Sequence, residues 1–189
     1  MSSTQANGAM SEKPLFSTDL ISPTVSAALP QGYIIRPLQR GDYARGFLDV
    51  LRVLTTVGDI SLEAWNKRYD WMEQRSGEYF VLCVVDTSRE EANCIVGTGT
   101  VLVERKFIHE LGAVGHIEDI AVAKDQQGKK LGLRIIQALD FVAESVGCYK
   151  TILDCSEANE GFYIKCNFRR AGLEMARYYD MTGKPKSQV

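Results

Sequence analysis

Residues 115–146, GHIEDIAVAKDQQGKKLGLRIIQALDFVAESV, constrain the fold of this chain more than any other stretch. An apolar strand carrying two adjacent acids, Glu118 and Asp119, runs into a short polar turn of Gln, Gly and Lys. The turn opens onto a helix, because Leu131, Ile135, Ala138, Leu139, Val142 and Val146 recur at the spacing of one helical face. A strand, a donor-rich turn and a helix start suit a phosphate group. The first-turn N–H groups have no intrahelical partner, and the macrodipole favours an anion beside them. Gly128 lets backbone approach a ligand closely, and Lys129 and Lys130 add positive charge. No GxxxxGK[ST] string occurs, which excludes a Walker loop, and the dinucleotide fingerprint GxGxxG is also missing. What remains is QxxGxG with one departure: Gln127, Gly128, Lys129, Lys130, Leu131, Gly132, with Lys130 in a glycine's place. Only a backbone N–H is needed from that position, and a Lys in right-handed helical geometry supplies one.

The chain has 189 residues, 45% of them hydrophobic, enough for one domain with its own core. A formal net charge of −2 gives no global basic field, so neither nucleic acid nor an anionic membrane is expected as a partner. Any anion site must be local. The longest apolar run, residues 79–85, is too short to span a bilayer. The first residues show neither a basic nor an apolar signal region, so no secretory signal is expected. Five cysteines without CxxC spacing (Cys83, Cys94, Cys148, Cys155, Cys166) then read as reduced core thiols of a cytoplasmic protein. Two histidines, His109 and His116, are too few for a His-rich site, and no metal is expected.

Residues 1–30 are rich in Ser, Thr, Ala and Pro and read as a flexible or loosely docked extension; pinning by Leu15, Phe16, Leu20 and Ile21 is the weaker alternative. Residues 31–189 read as one domain. A strand at 32–38 precedes a helix capped by Asp42 that ends at Gly58, and Ser61 caps a second helix reaching 75. Residues 79–86 and 94–104 form an antiparallel hairpin, the first strand apolar enough for burial on both faces. Residues 105–112 are a loop. After the strand at 115–123 and its helix come a parallel strand at 151–155, a short helix at 158–165 and a last strand at 169–179. The order predicts a mixed α/β sheet in one domain.

QxxGxG resembles the pyrophosphate-binding motif of the GNAT acyl-CoA N-acetyltransferases. Six further strings narrow the resemblance to the glucosamine-6-phosphate N-acetyltransferase family: LTTVG (54–58), ERKFIHELG (104–112), GHIEDIAV (115–122), GCYKTILDC (147–155), NxxFYxKC (159–166) and AGLEM (171–175). They occur in the family's order and cover about residues 32–180.

The resemblance implies a GNAT fold, with a central mixed sheet whose parallel strand pair splays apart and is flanked by helices. It implies acetyl transfer from acetyl-CoA to the amine of glucosamine 6-phosphate, by direct attack in a ternary complex, on the route to UDP-N-acetylglucosamine. Ile120, Ala121 and Val122 would pair with the pantetheine arm, and the Ile120 N–H would donate to the developing oxyanion, a bond worth roughly 10²–10³ in rate. Gln127, Gly128, Lys129, Lys130, Leu131 and Gly132 would hold the pyrophosphate. Asn159 and Tyr163 would reach the pantetheine and the sulfur, with Tyr163 protonating the leaving thiolate. Glu118, Asp119 and Asp154 would bind the sugar and its amine. Two consecutive strand acids point to opposite faces unless a bulge intervenes, as GNAT folds often have. Which acceptor takes the amine proton stays open. Thr55, Lys106 and His109 would bind the sugar phosphate. The last strand would join a homodimer and bring Glu174 and Arg177 to the partner's site.

An acetyl-cysteine route through Cys155 is rejected, because no histidine is placed to activate it and a buried strand cysteine is inert. Two other readings remain: a GNAT enzyme for another amine (a protein lysine, an N-terminus or a polyamine), and a non-catalytic acyl-CoA-binding module.

Overall fold

Strong β formers recur in five segments between residues 33 and 152, and they build one five-stranded sheet in chain order. A computed structural model describes residues 12–179. The strands are β1 (Tyr33–Pro37), β2 (Tyr79–Asp86), β3 (Ile95–Arg105), β4 (Ala113–Val122) and β5 (Cys148–Ile152). Pairing is antiparallel from β1 to β4 and parallel between β4 and β5, which α5 (Leu131–Ser145) connects. A parallel pair needs such a crossover. The mixed α/β sheet expected from the sequence is therefore present. The chain divides into two compact units between Leu153 and Asp154, and the sheet belongs wholly to the first.

Each sheet face has its own core. Leu131, Ile135, Ile136, Ala138, Leu139, Val142 and Ala143 of α5 are buried; full burial of each Leu, Ile or Val is worth about 1.5–3 kcal/mol. Gly97 and Gly99 of β3 let this helix sit close. A Cβ on Gly99 would lie 2.5 Å from Ile120 Cδ1 and 2.6 Å from Ile135 Cγ2. Opposite, Val81, Cys83, Val85, Ile95 and Ala121 pack with Phe47, Leu48 and Val50 of α2 (Phe47–Leu51) and with Trp65 and Tyr69 of α3 (Leu62–Glu73). Ser61 caps α3 by accepting from the Ala64 N–H at 3.2 Å. β2 is buried from Phe80 to Asp86, as its unbroken apolar run implies.

The structure departs from the sequence reading in several places. Asp42 is not an N-cap; it is the third residue of a 3-10 turn (Arg40–Arg45), fully buried, and joins that turn's capping box. Arg36 donates two 2.7 Å bonds to its carboxylate. The Gln39 N–H adds a third at 2.8 Å. A buried carboxylate needs such partners more than a helix end needs a cap. Residues 12–30, expected as a loose extension, are docked: Leu15 and Val25 are buried, Phe16 stacks edge-on with Phe80 at 5.2 Å, and α1 (Pro23–Ala27) starts on a Ser22 cap. Residues 1–11 lie outside the described ones. The loop at 105–112 contains a single turn, α4 (Ile108–Leu111), whose His109, Glu110 and Leu111 all have positive φ. Finally, the strand expected at 169–179 is not in the sheet. Alternation gives a segment the capacity to pair, and pairing needs a free edge beside it. Here Leu173 and Met175 are 93% exposed.

Candidate active site

The centre of the expected site is β4, and its geometry is irregular where function was expected. Thr98 faces Ala121 and Thr100 faces Glu118. One β3 residue, Gly99, therefore stands opposite two β4 residues, Asp119 and Ile120. That is a β-bulge. Asp119 takes φ 54°, the left-handed region that a short polar side chain tolerates. Before the bulge Gly115 faces Ala143 of α5; after it Ile120 faces Gly99 and Ile135 on that same side, so the alternation slips by one residue. Glu118 and Asp119 are both exposed at the slip.

The parallel pairing of β4 with β5 runs from Ala113 to His116 and stops at His116 opposite Ile152. β4 continues to Val122. Among the described residues no strand pairs with residues 117–122 on the β5 side, so that edge can accept an extended ligand backbone.

After β4 comes a 3-10 turn (Lys124–Gln126) and then the glycine-bearing segment. Gly128 has φ 85°. A Cβ there would meet nothing within 4 Å, so conformation rather than close packing calls for glycine. Lys130, expected in right-handed geometry, is left-handed (φ 61°, ψ 17°) and forms the N-cap of α5. This position is where the family motif has a glycine, and the backbone shows why: a side chain there costs about 1–2 kcal/mol. Leu131 and Gly132 begin the helix, and their N–H groups lie in the first turn. Lys129 Nζ donates to Tyr33 Oη at 2.6 Å and to Gln126 Oε1 at 2.7 Å.

The expected phosphate cations are differently placed. Lys106 Nζ lies 2.6 Å from Glu104 Oε2, and His116 Nε2 lies 2.9 Å from the same oxygen. Hydrogen bonds from Lys106 and then His116 hold the Glu104 carboxyl below its ordinary range. The charge of Lys106 is thus largely matched within the chain. His109 stacks on Tyr149 of β5 with ring centroids 4.6 Å apart. Thr55 is exposed in the segment after α2.

The second unit holds the rest. α6 (Glu157–Lys165) follows Ser156, and the Asn159 N–H bonds to the Ser156 carbonyl at 2.9 Å. Asn159 and Tyr163, four residues apart, share one face of α6. Tyr163 is half-buried, its ring 5.0 Å from Phe162 and 6.3 Å from Phe168. Asp154 is exposed, as are Glu174 and Arg177; the Arg177 guanidinium lies 5.7 Å over the Tyr179 ring. Cys155, expected buried on a strand, follows β5 and is exposed.

Sequence reasoning missed Gln126, Tyr33 and Gly99. Gln126 is buried inside a polar run, and Tyr33 reaches it from β1. No local pattern marks such a pair.

The family model described as acetyltransferase (GNAT) family matches residues 46–168. A protein of Candida albicans named glucosamine 6-phosphate N-acetyltransferase is 47% identical, over 78% of this chain and 96% of that one. Glucosamine 6-phosphate N-acetyltransferase 1 of Dictyostelium discoideum is 41% identical over 82% and 96%. The crystal structure of glucosamine-6-phosphate N-acetyltransferase from Arabidopsis thaliana matches with a TM-score of 0.74 at 34% identity, covering 78% of this chain and 99% of that one.

Proposed function

The chain belongs to the GNAT acetyltransferase family, and from that premise we propose that it transfers acetyl from acetyl-CoA to the amine of D-glucosamine 6-phosphate. The product is N-acetyl-D-glucosamine 6-phosphate, a precursor for UDP-N-acetylglucosamine. The observation that carries the reading is the end of β4–β5 pairing at His116 and Ile152, which leaves the edge of Ile120, Ala121 and Val122 for a pantetheine arm. The cosubstrate supplies an activated thioester; the chain's own groups bind and steer it. The Ile120 N–H donates to the carbonyl oxygen as it gains charge. The turn from Gln127 to Gly132 holds the diphosphate by its N–H groups and by Lys129. Its two left-handed residues and exposed surface fit an anion.

The amine attacks directly. Its nitrogen bonds to the acetyl carbon while the carbon–sulfur bond breaks, and the thiolate takes a proton from Tyr163. Asn159 contacts the pantetheine. The amine's own proton goes to a carboxylate among Glu118, Asp119 and Asp154; bulge geometry supports Glu118 and Asp119 as sugar-binding acids, since both are exposed at one place. Lys106, His109 and Thr55 are the residues for the sugar phosphate. A homodimer closed by residues 169–179, bringing Glu174 and Arg177 to the partner's site, completes the proposal, with a cytoplasmic location. The exposed Leu173 and Met175 support it, since apolar side chains in an extended segment gain by pairing. Among the described residues no helix is long and apolar enough to cross a membrane.

A thiol-release assay with acetyl-CoA tests the reading, comparing glucosamine 6-phosphate, glucosamine and a lysine-containing peptide. Fast release with the phosphorylated sugar and almost none with glucosamine is expected. Release only with the peptide would keep the fold and overturn the substrate.

A further inference from the structure

Of the three lysines expected to meet phosphates, Lys106 and Lys129 are treated differently by the structure. Lys106 is held by a carboxylate, Glu104, so its charge is matched. Lys129 is held by neutral oxygens: Tyr33 Oη at 2.6 Å and Gln126 Oε1 at 2.7 Å. Its net charge survives. The Tyr33 hydroxyl in turn donates to Gln126 Oε1 at 2.6 Å, and the ammonium lies 5.2 Å from the Tyr33 ring centroid. An ammonium has three donors, and these two bonds leave the third.

The anchor is internal. In residues 124–130 the buried side chain is that of Gln126, 5% exposed; Gln127, Gly128, Lys129 and Lys130 are all exposed. Gln126 Nε2 donates to Asp125 Oδ2 at 3.1 Å, and Arg89 pairs with that same Asp125 carboxylate. The carboxylate of Asp125 is thereby matched by another cation, Arg89. One buried amide thus ties the turn to β1 through Tyr33 and, through Asp125, to the β2–β3 hairpin loop. A lysine fixed in place without being neutralised loses less freedom when it takes up an anion.

We infer that Tyr33 and Gln126 are positioning residues for the cosubstrate's diphosphate, acting by fixing the ammonium of Lys129 beside the turn that binds it. This rests on the diphosphate reading of residues 127–132. Neither side chain touches the ligand; each acts through Lys129.

The test uses the full chain and reads the dissociation constant for CoA by calorimetry, with no sugar present, alongside the KM for acetyl-CoA. Tyr33 is half-buried at a strand start, so Tyr33→Phe folds, and a melting curve checks it. Lys129→Met is expected to weaken CoA binding about tenfold, and Tyr33→Phe about threefold. The double variant should bind no worse than Lys129→Met alone, because Tyr33 acts only through the lysine. Gln126→Met, which keeps volume and removes the acceptor, should match Tyr33→Phe or exceed it. In each case KM for acetyl-CoA should follow the dissociation constant while kcat holds. Wild-type binding by Tyr33→Phe, or a double variant that multiplies the two losses, overturns the positioning role while the diphosphate site stands. Wild-type binding by Lys129→Met overturns the diphosphate reading itself.

Discussion

The two units of this chain differ in what holds them together. Residues 12–153 have a sheet with a core on each face, and α5 alone contributes seven buried side chains. Residues 154–179 have one helix, α6, with no buried residue in it, and an extended, exposed tail. Yet Asp154, Asn159 and Tyr163, three of the residues assigned to the chemistry, lie in the second unit. Part of the proposed chemistry therefore rests on a segment with little buried core, while the β4 residues and the turn at 127–132 rest on the well-packed unit. Segments with few buried apolar contacts open more readily, and functional groups often sit on them.

That division can be broken by experiment. Tyr163→Phe should lower kcat by about 10²–10⁴-fold, the usual range for a lost general acid, with the melting temperature and the KM for acetyl-CoA little changed. Steady-state kinetics and a melting curve decide it; an unchanged kcat removes Tyr163 from the mechanism. Leu15→Ala should do the opposite, lowering unfolding free energy in urea by about 2–5 kcal/mol while kcat holds. Gly99→Ala straddles the boundary. The added Cβ collides with Ile120, Ile135 and Leu139 and should cost about 1–3 kcal/mol. It should also lower kcat, because the proposed oxyanion donor is the Ile120 N–H; a stability loss with normal kcat would uncouple the bulge from catalysis.

The smallest effect sharpens the comparison inside the first unit. Burial pushes the Asp140 carboxyl above its ordinary 3.8, and the bond from Thr151 only partly offsets it. As pH rises, the unfolded chain loses this proton first, so stability falls from about pH 3.8 through the folded value. Asp140→Asn removes that fall. It should be slightly more stable than the parent at pH 7, with the gain vanishing below the unfolded value; urea curves at several pH values measure it.

The strand, turn and helix of residues 115–146 were readable because periodicity is local: seven buried positions on α5 repeat at helical spacing. β2 was readable for a similar reason. What lay beyond reach depends on partners far away in sequence. Leu15 docks under a Ser- and Pro-rich surface composition that suggests disorder. Asp42 looks like a cap until Arg36 is seen beside it. Residues 169–179 alternate like a strand, but they form no strand of the five-stranded sheet. Tyr33 and Gln126 are 93 residues apart. The site divides the same way. The QxxGxG turn and the acids of β4 could be named from sequence, whereas the left-handed backbone at Lys130 needed the structure.

The bulge at Asp119 has a further meaning for how this protein can vary. It acts like a dislocation in a crystal: order is intact on both sides, but out of step by one. Removing that single residue would put the two halves of β4 back in step, with Ile120 still against Gly99 and Ala121 still on the opposite face. The strand thus has a reading frame. Substitutions along β4 alter one contact each, while a one-residue deletion in the regular part of the strand exchanges the inside and outside of everything between it and the next irregularity.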